Sequence, residues 1–162
     1  MLLLTGDETP QEVIALSYGL EEGLQKFYTA SANLAIDREV VQILSKLAEI
    51  EVRHKQKLFE LYLAVESDPQ DREAFEAEIN SEMTEGGFNP DKLLEQNLPT
   101  FKSAARVLGF AMMLEAQAMD LYMRYAEKCE DQEVKAILFK MADEEKAHLK
   151  SLGDLQEKHG VR

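Results

Sequence analysis

The sequence predicts an all-α fold, a four-helix bundle made of two repeated helical hairpins joined by one long crossover. Three observations predict it. Apolar residues recur at spacings of three and four through four long stretches, which is the period of one helical face. Leu47-Ala48-Glu49-Ile50-Glu51-Val52-Arg53-His54 has a counterpart in Met141-Ala142-Asp143-Glu144-Glu145-Lys146-Ala147-His148, and both end in Glu-x-x-His. The offset between them is 94 positions, since 145 − 51 and 148 − 54 both equal 94, and it holds through the flanking helices.

Thr9-Pro10-Gln11-Glu12 is a capping box with proline at the first helical position, so the first helix starts near residue 10 and residues 1–9 read as a tail or linker. Its stripe of Ile14, Ser17, Glu21, Leu24, Tyr28 and Ala35 places Glu21 among apolar neighbours, where a carboxylate needs a partner. Asp37 caps the second helix. Leu44, Leu47, Glu51, His54, Leu58, Leu61 and Val65 form its stripe, which ends before Asp68-Pro69 because the residue before a proline avoids helical geometry. Residues 66–99 are charged and carry Gly86-Gly87, Pro90 and Pro99. They read as a crossover running the length of the bundle, with short helices at 71–82 and after Asn89-Pro90.

The third helix, from about 100 to 128, carries Ala104, Leu108, Ala111, Glu115, Ala118, Tyr122 and Tyr125 on one face. The fourth follows Asp131 with Leu138, Met141, Glu145, His148, Leu152 and Leu155 in register and ends near Gly160, so the domain spans 10–158 and 159–162 form a tail. The repeat pairs Glu21 with Glu115, Tyr28 with Tyr122, Asp37 with Asp131 and Leu44 with Leu138. Each half therefore supplies Glu-x6-Tyr and then Glu-x-x-His, and the halves should pack about a pseudo-twofold axis.

At 162 residues and 45% hydrophobic content the chain is long enough for one core. Its net charge of −13 argues against nucleic acid or an anionic membrane as partner. No apolar run is long enough to span a bilayer, and the apolar start at Met1–Leu4 is too short for an export signal. Cys129 is the sole cysteine, which excludes an intramolecular disulfide and fits a reducing compartment; a cytoplasmic location is the expectation. It reads as a small residue near a helix end. His159 reads as solvated, and Glu22, Glu49, Asp143 and Glu144 as solvated or supporting carboxylates. The methionines Met112, Met113, Met119, Met123 and Met141 read as core filling rather than a soft-metal site.

Four carboxylates and two imidazoles on apolar stripes would be costly to bury without compensation. Two divalent cations balance four carboxylates, and neutral imidazoles complete the shells. One Glu from each of two helices plus a Glu-x-x-His from each of the other two is how bundles hold two iron or two manganese ions.

By Glu21-x6-Tyr28, Glu51-x-x-His54, Glu115-x6-Tyr122 and Glu145-x-x-His148, residues 10–158 resemble a rubrerythrin-like domain of the ferritin-like superfamily. The resemblance implies that Glu51 and Glu145 bridge two iron ions, Glu21 and Glu115 are terminal ligands, and His54 and His148 cap one metal each. It makes Tyr28 and Tyr122 hydrogen-bond donors to those carboxylates. It further implies a di-iron oxidoreductase that reduces hydrogen peroxide in oxidative-stress defence, drawing electrons from an external donor protein, and a homodimer. Oxidation of ferrous iron by dioxygen, and a non-enzymatic metal-stabilised module, are the alternatives, and manganese is the alternative metal. Two departures stand out. Rubrerythrins carry a further glutamate where this chain has Ala118, and a four-cysteine rubredoxin domain that this sequence lacks. The stretch Met113–Tyr122 looks like a subgroup fused behind rhodanese domains, which makes a longer parent protein an expectation.

Overall fold

The computed structural model describes residues 8–85 and 104–159. Five helices lie within them: α1 (Pro10–Leu34), α2 (Arg38–Val65), α3 (Arg72–Glu85), α4 (Ala104–Lys128) and α5 (Gln132–Lys158). Thr9 accepts from the Glu12 backbone N–H while the Glu12 carboxylate accepts from the Thr9 N–H, so the predicted capping box starts α1. Asp37 and Asp131, equivalent in the repeat, each accept from the two N–H groups that open α2 and α5. Three residues connect α1 to α2 and α4 to α5, and each pair packs along its length as a hairpin.

The hairpins meet through α1 against α4 and α2 against α5. Cross-links fix the directions. Tyr28, late in α1, reaches Glu115 in the middle of α4, while Tyr122, late in α4, reaches Glu21 in the middle of α1. Likewise His54 of α2 faces Glu145 of α5, and His148 faces Glu51. Both helix pairs are thus antiparallel, as a pseudo-twofold relation requires. It follows that α2 ends at the opposite end of the bundle from where α4 begins, as the expected crossover requires.

Part of that crossover is α3, which the sequence placed at 71–82. It packs on α1 by burying Phe75 and Ile79, and Phe75 meets Tyr18 edge-on at 5.1 Å and Tyr62 at 4.4 Å. The helix expected after Asn89-Pro90, the start of the third helix before Ala104, and the terminal segments 1–7 and 160–162 lie outside the described residues.

The core is filled by the predicted stripes, with Leu24, Leu44, Leu58, Leu108, Leu138, Met141 and Leu152 fully buried. Two expectations are corrected. Met113 and Met123 face outward while Met141 alone of the five methionines lies in the innermost core. His159 is not simply solvated: it caps α5 and sits 3.6 Å from Asp37 and 3.8 Å from Glu39, because antiparallel packing brings the end of α5 beside the start of α2. Among the described residues no helix is long and apolar enough to cross a membrane.

Candidate metal centre

All six predicted donors converge inside the bundle. Glu21, Glu51, His54, Glu115 and Glu145 are 0% exposed and His148 is 6% exposed. Their position follows from the helix period: each replaces an apolar residue on a stripe facing the other three long helices.

Both imidazoles turn Nδ1 inward. His54 Nδ1 lies 2.8 Å from Glu145, 3.0 Å from Glu51 and 3.5 Å from Glu21. His148 Nδ1 lies 3.2 Å from Glu145, 3.3 Å from Glu115 and 3.6 Å from Glu51. The rings stack with centroids 5.7 Å apart. Two overlapping donor groups result, Glu21-Glu51-His54-Glu145 and Glu51-Glu115-Glu145-His148, each with one ligand atom per residue lying within 4.8 Å of the others. Glu51 and Glu145 belong to both.

The electrostatics are those of charge packed into a dry space. Burial, with Glu21 adding repulsion, drives the Glu51 carboxyl well above the usual range. Burial and the neighbouring Glu145 push Glu115 up to about 8. Burial acts the same way on Glu145, but contacts with Glu115 and the two imidazoles outweigh it and hold that carboxyl at about 2. Burial opposes charge on the imidazoles, yet the surrounding carboxylates raise His54 and bring His148 to about 9. Burial, reinforced by the carboxylates, keeps the Tyr28 and Tyr122 hydroxyls far above their ordinary range. Both hydroxyls therefore stay protonated and donate, Tyr28 to Glu115 and Tyr122 to Glu21.

Protons do not satisfy this cluster. Glu21 Oε2, both Glu51 oxygens, His54 Nδ1, Glu115 Oε2 and Glu145 Oε1 are buried without a hydrogen-bond partner. Buried polar atoms in folded proteins are almost always partnered, so orphans gathered at one point mark a missing bound species. Oxygen and imidazole donors in overlapping groups suit two divalent cations, whose charge offsets the four carboxylates.

Around the donors the structure adds what the sequence left open. Glu144 of α5 accepts across the hairpin boundary from His54 Nε2 at 2.6 Å and from Lys57 Nζ at 3.0 Å. Its place beside Glu145 was visible in the sequence, but its partner, ninety residues away, was not. Ala118 is fully buried one turn after Glu115 and offers no further carboxylate from α4.

Residues 106–161, which span nearly all of α4 and α5 with Glu115, Glu145 and His148, match the family model described as Rubrerythrin. No curated protein and no solved structure matches the chain. The first hairpin repeats the motifs of the matched one and packs against it to complete both donor groups. The described residues form an all-α, ferritin-like four-helix bundle, and its second hairpin is similar to the Rubrerythrin family.

Proposed function

We propose that the chain is a non-haem di-iron oxidoreductase that reduces hydrogen peroxide to water. The observation that carries this reading is the pair of overlapping, buried donor groups sharing Glu51 and Glu145. In this reading Glu51 and Glu145, which belong to both groups, would be shared by two cations, Glu21 and Glu115 would each serve one, and His54 and His148 would each hold one through Nδ1. Two bound ferrous ions would supply the two electrons that, with two protons, convert one peroxide into two waters.

The chain's own residues provide the rest. Four carboxylates cancel the charge of two divalent cations, so the loaded centre is close to neutral within the apolar core. Tyr28 and Tyr122 donate hydrogen bonds to Glu115 and Glu21 respectively, fixing which oxygen of each faces the centre. The core leucines exclude bulk water, and an electron-donor protein outside this chain restores the reduced state. The ligand exchange that the additional α4 glutamate provides in rubrerythrins has no residue to perform it here, because that position is Ala118. Turnover would then rest on movement of the shared carboxylates alone.

Anaerobic loading with ferrous iron tests the reading. The wild type is expected to retain two irons per chain, and the Glu51→Ala, Glu145→Ala double variant almost none. Rapid mixing of the ferrous protein with peroxide or with dioxygen then separates activities. Fast oxidation by peroxide and slow oxidation by dioxygen supports peroxide reduction. The reverse order assigns the site to oxidising iron itself, and retention of iron without turnover assigns it to stabilising the fold. Preference for manganese over iron would redirect the chemistry to peroxide disproportionation.

A further inference from the structure

The two hairpins are near copies, but their histidines are not held alike. The outer nitrogen of His54 is bound by Glu144 at 2.6 Å, and Glu144 is itself fixed by Lys57 at 3.0 and 3.3 Å. An acceptor on Nε2 keeps the proton there, leaves the Nδ1 lone pair free for a metal, locks the ring and raises its basicity. Applying the 94-residue offset, the position equivalent to Glu144 is Ile50 and the position equivalent to Lys57 is Ser151. Neither can serve His148 in the same way.

His148's acidic neighbours, Glu51, Glu115 and Glu145, all face Nδ1. Its ring instead lines a cavity of about 400 Å³ together with Ile50, Ser151, Lys46 and Arg53. Glu144 borders that cavity too, but its oxygens are directed to His54 and Lys57. Of the six donors, His148 alone keeps any exposure.

Resting on the di-metal reading, we propose that Glu144 is a positioning residue that makes the two metal positions inequivalent. The cation at His54 is the retained one. The cation at His148 is the exchangeable one, entering and leaving beside the cavity.

Titration of the full metal-free chain with Co2+, followed by visible absorption and by calorimetry, tests this without recourse to activity. The wild type is expected to fill in two separate steps. Glu144→Ala is expected to weaken the first step by about 10- to 100-fold and leave the second in place, so that the steps merge. Glu144→Gln, which keeps an acceptor without its charge, should fall between. Ile50→Glu with Ser151→Lys supplies the missing pair and should tighten the second step, a result independent of how Glu144→Ala folds. Two cations bound with one affinity in the wild type, or equal weakening of both steps by Glu144→Ala, overturns the inequivalence and leaves the di-metal centre standing. No Co2+ binding by the wild type overturns the centre itself.

Discussion

The hydroxyl of Tyr28 has one task, donating to a carboxylate in the other hairpin, and its removal isolates that task. Tyr28→Phe leaves a buried oxygen of Glu115 without its donor, and the metal-free chain should lose about 1–3 kcal/mol, read from thermal unfolding. The titrating groups of the centre predict a pH profile for the same metal-free chain. Glu115, lifted by burial to about 8 from 4.5, and His148, held at about 9 against 6.5, both bind protons more tightly folded than unfolded. Their contribution is fully present below the unfolded values and is lost as pH rises through the folded ones. The melting temperature should therefore fall as pH rises from about 4.5 to about 9, Glu115 acting up to about 8 and His148 from 6.5 to about 9. Glu145, held at about 2, acts oppositely: its contribution is lost as pH falls from 4.5 toward 2. Cations must displace the protons on Glu115 and His148, so loading near pH 7 should release protons into a weakly buffered indicator solution and tighten as pH rises. The six donors were legible because each breaks the apolar period of its helix, and a polar residue on such a stripe demands a partner. Glu144 and His159 were not, since their partners lie in the other hairpin and no periodicity links residues across a packing interface.

At the scale of elements, capping and patterning state where the long helices run. Thr9→Ala removes one half of the box that opens α1 and should cost about 1 kcal/mol, seen as a lower urea midpoint with an unchanged slope. The stripes of α1, α2, α4 and α5 were readable because four helices facing one core each need an apolar face. The docking of α3 was not readable. Its charged sequence gives only Phe75 and Ile79 for burial, and the aromatic surface receiving Phe75 is assembled from Tyr18, Phe59 and Tyr62 on two other helices. Phe75→Ala should detach α3 while sparing the bundle. Hydrogen exchange would show it, with amides of 72–79 losing protection and those flanking Glu51 and Glu145 keeping theirs.

For the whole molecule, the unpartnered donors mean that the metal-free fold carries a cost that cations relieve. Loading should raise the melting temperature, and a chelator should return it to the metal-free value; each site filled at a hundred times its dissociation constant contributes about 2.7 kcal/mol. An unchanged melting temperature on loading would contradict the centre. The division of donors between hairpins also sets an order of events during synthesis. Each group draws three donors from one hairpin and a single shared glutamate from the other, Glu145 completing the group of His54 and Glu51 completing that of His148. A nascent chain that has exposed only its first hairpin offers an open three-sided cradle that passing metals can enter and leave. In the di-metal reading each donor group would close only when the last helix has docked, and metal choice would then fall to the finished bundle rather than to the unfinished chain.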